Sequence, residues 1–188
     1  MSLAKEKKLE ELYHYFLEKG FTISTDKISE ALGITKRTIF NRYRTLENLE
    51  KEIMYFWRIS FKKRFEEKSQ YCNNEVEKLL YFIYELKISQ YREADFYKKE
   101  FESKAFLHHH DDSFVHIVEK ILEEGVSNGY FRTGINMEVY SRYLLFNLVY
   151  LFIPELPNGG IVYYLLIPIL TEEGHDVIKT INITEFLN

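Results

Sequence analysis

Residues 24–43 read STDKISEALGITKRTIFNRY, and this stretch decides the fold. Ser24, Thr25 and Asp26 are helix-start residues, because their side-chain oxygens accept backbone N–H groups left free in a first turn. Ile28, Ala31 and Leu32 then recur at i, i+3, i+4 and form one apolar stripe. Gly33 stands where a helix commonly stops, since glycine takes the left-handed conformation cheaply. Ile34 is apolar and is expected to be buried in the turn. Thr35 caps a second helix whose inward face is Ile39 and Tyr43, again four apart. The outward face is Lys36, Arg37, Thr38, Asn41 and Arg42. The layout is a helix-turn-helix whose second helix carries groups that neutralise phosphates and read base edges in a major groove.

The flanking sequence supplies the rest of a small core. Leu9, Leu12, Tyr13, Phe16 and Leu17 place a helix over 5–19 with one apolar stripe, and Gly20 ends it. Two short helices alone bury too little, so this first helix forms the third side. Thr45 opens a long helix reaching about Ser69, with Leu49, Ile53, Phe56, Trp57, Phe61 and Phe65 inward. It leaves the small core and connects it to the C-terminal part of the chain. Further helices are expected over Glu75–Tyr91, Asp95–Leu107, Phe114–Asn128 and Met137–Ile153. Pro154, Pro157, Gly159 and Gly160 read as a hard break. Ile161–Leu170 is again apolar, with Pro168 late in the run, and residues 175–188 carry no clear pattern. The spacing therefore predicts an all-α chain. A three-helix DNA-binding domain occupies 1–50, and a helical effector-binding and dimerisation domain occupies 51–188.

Composition agrees with a folded helical protein: 188 residues, 46% apolar, 29% charged, with only eight glycines and three prolines. The net charge of −4 is unevenly spread. Residues 1–50 carry +1 and residues 51–188 carry −5, while 36–44 holds four cations and no acid. The basic surface is local, and DNA should repel the remainder. One cysteine, Cys72, leaves no intramolecular disulfide or cysteine zinc site, which fits a reducing cytoplasm. The charged N-terminus has no secretory pattern. The apolar runs fall short of the roughly 20 residues of a membrane span, so no membrane partner is expected.

The organisation resembles the TetR/AcrR family of transcriptional regulators. The residues that carry the resemblance are Phe16 and Gly20, Ser24-Thr25, Ile28, Ala31-Leu32-Gly33, Thr35, Thr38-Ile39-Phe40-Asn41-Arg42-Tyr43 and Leu49. A weaker echo runs through Asn128-Gly129-Tyr130-Phe131-Arg132 and Asn136-Met137-Glu138. The chain departs from the family where Arg37 replaces a glycine, Phe40 a tyrosine and Leu46 a lysine. The last two remove phosphate contacts that the family uses. The resemblance implies a ligand-responsive homodimeric repressor that binds double-stranded operator DNA.

Lys36, Arg37, Arg42 and Arg44 are the cationic set, for which the competing reading is a solvated helix face. Thr38 and Asn41 reach base edges or phosphates, Thr25 reaches phosphate, and Thr35 and Tyr43 complete the DNA-binding set. Phe40 packs either into the core or on sugar and a thymine methyl. His108–His110, Asp111, Asp112 and His116 are metal-capable types. A polar loop capped by Asp111 or Asp112 is the simpler account, and no metal or other cofactor is assigned. The aromatic interior of 75–153 is either a filled core or a pocket for a small apolar or aromatic effector. Two apolar helices, about 137–153 and 161–172, call for a homodimer that meets in a four-helix bundle. No phosphate loop, activated nucleophile or carboxylate pair marks an enzyme. The alternative is a ligand- or metal-sensing protein of the same fold that has lost specific DNA binding.

Overall fold

A computed structural model describes residues 3–102, 113–151 and 158–181. Ten α-helices follow one another among them: α1 (Leu3–Lys19), α2 (Thr25–Ala31), α3 (Lys36–Tyr43), α4 (Leu46–Ser69), α5 (Glu75–Arg92), α6 (Ala94–Glu102), α7 (Phe114–Ser127), α8 (Met137–Leu151), α9 (Asn158–Leu166) and α10 (Glu172–Thr180). A short 3-10 turn, Ile167–Ile169, separates the last two.

The helix starts follow the cap chemistry. Ser24 accepts from the Lys27 N–H, Thr35 from Thr38 and Thr45 from Asn48. Helix α7 begins differently from expectation: Ser113, not Asp111 or Asp112, is its cap, accepting from the His116 N–H at 3.1 Å. Both aspartates lie outside the described residues, as do His108–His110.

Helices α1, α2 and α3 close on Leu9, Leu12, Tyr13, Phe16, Ile28, Ile39 and Tyr43, all buried. Ala31 does not join this stripe; it is exposed at the end of α2, while Leu32 and Ile34 are half-buried. Helix α4 starts against the same core through Leu49 and Ile53. It then runs on, past the expected boundary at residue 50, into a second core through Trp57, Phe61 and Phe65. Its partners there are α5, α6 and α7. Phe114 meets the rings of Trp57, Phe61, Phe82 and Phe101 at centroid distances of 5.5, 4.9, 6.4 and 5.7 Å. These rings pack against one another in the second core.

The Asn128–Arg132 segment turns the chain through Gly129 at φ +85°. The Arg132 N–H donates to the Ile169 carbonyl at 2.8 Å, and Arg132 Nε donates to the Leu170 carbonyl at 2.7 Å. An isolated bridge pairs Phe131 with Leu170. The phenyl ring of Phe131 lies where a Cβ on Gly125 would sit, 2.2 Å away, so α7 requires glycine there. Gly159 and Gly160 do not break the chain but occupy the first turn of α9. The expected helix 161–172 ends at Leu166, where the turn holding Pro168 begins, and α10 occupies part of the tail that carried no pattern.

Candidate nucleic-acid interface

Helix α3 touches the rest of the protein through a narrow strip. Of its eight residues only Ile39 and Tyr43 are buried, and the other six are exposed. Thr35 and Arg44, which flank it, are exposed as well. Lys36, Arg37, Thr38, Phe40, Asn41, Arg42 and Arg44 therefore stand together on one convex surface. Phe40 is 48% exposed, so it lies outside the core, among the cations.

Several contacts shape this surface before any ligand arrives. The Thr35 hydroxyl oxygen accepts from the Thr38 N–H at 3.1 Å and lies 2.9 Å from the Thr38 hydroxyl, which fixes the first turn. The Asp26 carboxylate pairs with Lys36, tying α2 to the start of α3 and offsetting that charge. The Arg42 guanidinium sits 5.3 Å from the centroid of the Tyr43 ring, a cation–π contact that holds it along the helix. Arg37 and Arg44 form no ion pair among the described residues.

Two members of the expected set lie deeper than the rest. Tyr43 is a core residue at 4% exposure, and burial, against the opposing pull of Arg42, raises its phenol above its usual value. It supports the surface from beneath. Thr25 is half-buried in the first turn of α2, where Ser24 provides the cap. Sequence reasoning missed Asn48, whose side-chain amide donates to the Tyr43 carbonyl at 3.0 Å and seats the end of α3 on α4. Its only signal was its place in the first turn of the next helix.

Away from this surface, a cleft of about 170 Å³ opens between α4, α5 and α7. Its floor is Phe65, Ile117 and Ile121, and its rim includes Lys62, Lys78 and Lys120. His116, the one described member of the expected metal cluster, is exposed on α7 with Nδ1 3.7 Å from Glu119 Oε2. No group of three metal-capable side chains occurs among the described residues. No described helix is long and apolar enough to cross a membrane.

The fold is similar to that of solved structures that include a TetR/AcrR family member. A transcriptional regulator described as a TetR/AcrR family member is similar over 100% of both chains, with TM-score 0.54 and 14% identity. The regulator AibR, solved with isovaleryl coenzyme A and operator DNA, is 16% identical, covering 86% of this chain and 95% of that one at TM-score 0.54. The superantigen PfiT is 18% identical, covering 88% and 95% at TM-score 0.60. No family model and no curated protein matches the sequence. The shared fold carries proteins of different description, so function is argued from the surface of α3.

Proposed function

We propose that the chain is a homodimeric, DNA-binding transcriptional regulator, and specifically a ligand-responsive repressor. The observation that carries this reading is the exposure of α3. A helix seated on two side chains, with six outward residues that include Lys36, Arg37, Phe40, Asn41 and Arg42, has the shape and chemistry to enter a major groove. Arg37, Arg42 and Arg44 supply phosphate neutralisation where the family's tyrosine and lysine are missing.

A second copy fits the apolar face left on the helical domain. Val139, Tyr143 and Phe146 are exposed at i, i+4, i+7 on α8, and Tyr164 is 76% exposed on α9. Joining these faces by a two-fold axis buries them and presents two α3 helices to one duplex. Successive major grooves lie about 34–36 Å apart, so the dimer binds best at one separation of its α3 helices. A small effector in the α4–α5–α7 cleft bears on Phe65 of the connecting helix. It lowers DNA affinity to the extent that it prefers another separation.

Selection from a pool of randomised duplexes tests the reading. It should recover a two-fold symmetric site with half-sites one helical turn apart. A pool that never enriches would overturn DNA recognition and favour a sensor that keeps the fold alone.

A further inference from the structure

The helix-turn-helix unit meets the helical domain around one buried carboxylate that the DNA-binding reading does not use. Glu93 forms the corner between α5 and α6 and is buried. It accepts from the Tyr13 hydroxyl of α1 at 2.6 Å, from the Trp57 indole N–H of α4 at 2.7 Å and from Arg64 Nη2 of α4 at 3.0 Å. Burial first, and the Glu93 acceptor second, raise the Tyr13 phenol far above its usual value of 10, so it stays a donor at neutral pH.

Packing surrounds this polar centre. Phe96 of α6 is fully buried, with the rings of Tyr13, Phe21 and Trp57 at 5.3, 4.9 and 6.0 Å. Lys99 of α6 pairs with Glu50 at 2.5 Å and lies 4.5 Å from the centroid of the Phe21 ring. Arg58 of α4 pairs with Glu100 of α6 at 2.9 Å. Gly20, at φ +73°, comes so close to α6 that a Cβ there would lie 2.6 Å from Asp95 Oδ2.

These contacts differ in what they constrain. Ring against ring is less directional than a hydrogen bond, so the contacts of Tyr13 and Phe21 with Phe96 constrain the angle less sharply. A carboxylate with three short, charge-assisted or neutral donors is directional, because each bond weakens steeply off axis. Burying a carboxylate costs free energy that its donors must offset, so an apolar side chain would hold the two parts together equally well. What the carboxylate adds is geometry. The Tyr13 hydroxyl is the bond from Glu93 to the helix-turn-helix unit itself; the other two reach the connecting helix.

We propose that Glu93 is the positioning residue that fixes the angle of the helix-turn-helix unit on the helical domain, with the Tyr13 hydroxyl as its hold on that unit. The consequence for DNA rests on the function proposed above: in a dimer, this angle sets the separation of the two α3 helices. The geometric statement stands without DNA.

The test uses the full chain with Cys72→Ala, so that the exposed positions Glu30→Cys on α2 and Glu123→Cys on α7 alone take spin labels, diluted with unlabelled protein. The unmodified network should give one narrow distance distribution. Tyr13→Phe should broaden it or add a second distance. Trp57 is the only tryptophan, so its single indole N–H resonance reports the remaining bond to Glu93; in Tyr13→Phe it should keep its position. Tyr15→Phe is the control, because that hydroxyl reaches the Lys27 carbonyl within the helix-turn-helix unit; it should leave the distribution narrow. Glu93→Gln should move the indole resonance and broaden the distribution. If it does not fold, Tyr13→Phe decides alone. A Tyr13→Phe distribution as narrow as the parent's, at the same distance, would overturn the proposal. On DNA, Tyr13→Phe should weaken binding to a two-half-site duplex and spare a single half-site. A parent chain that binds neither refutes the DNA reading and leaves the distance result standing.

Discussion

Arg44 ends α3 with φ +67° and ψ −48°, a left-handed backbone that glycine adopts freely. A residue with a side chain is strained there by about 1–3 kcal/mol. The side chain is exposed and fills no cavity, so the fold gains nothing visible from it. On the function proposed above, its use is on phosphate, with Arg37 and Arg42. Arg44→Gly is therefore expected to raise the thermal midpoint, followed by circular dichroism, while lowering duplex affinity, followed by fluorescence anisotropy. A loss of both would assign Arg44 to the fold instead. The pairing of Lys36 with Asp26 has the opposite sense, since it offsets a charge that DNA would otherwise meet.

Helix α3 depends on Ile39 to a degree that its eight residues make plain. An isolated helix of that length is unstable in water, and tertiary packing supplies its stability. Ile39→Ala should cost about 2–5 kcal/mol. Amide exchange should rise across α3 first, while α5 and α7 keep their protection. The caps and stripes that define α1 to α4 were legible because they are local: Ser24, Thr35 and Thr45 each sit three residues before the N–H they accept. Helix α9 was not, because Gly159 and Gly160 read as breakers. In a first turn the N–H groups are unpaired in any case, and burial of Val162, Leu165 and Leu166 outweighs the propensity cost. Helix α10 is short and mixed; Thr171 caps it by accepting from the Gly174 N–H, a local signal that sequence reasoning passed over, and Ile178 and Gly174 are buried in its packing. At the site, the cations, the exposure of α3 and the inward face of Ile39 and Tyr43 followed from spacing, whereas the exposure of Phe40 needed the third dimension. Glu93 gave no signal at all, since its donors lie 80, 36 and 29 residues away in the chain.

For the molecule as a whole, the division of charge and of apolar surface points two ways at once. Cations collect on α3 at one end, and exposed Tyr143, Phe146 and Tyr164 collect on α8 and α9 of the helical domain. The first surface favours a polyanion, and the second favours another apolar face. Tyr143→Glu places a charge in the centre of that second face. It should shift the protein from dimer to monomer in sedimentation equilibrium without unfolding it, since Tyr143 is half exposed in the single chain. A dimer that survives the change would move the interface elsewhere. The claim on which the account turns is that α3 is the surface that meets DNA. It is tested most directly by measuring affinity for random-sequence duplex across a salt series, with the parent chain beside Arg37→Ala/Arg42→Ala. The account predicts a steep negative slope of log affinity against log salt in the parent. In the double variant the slope should be shallower by roughly one unit per lost cation. Equal slopes in the two proteins, or no binding by the parent at low salt, would contradict it.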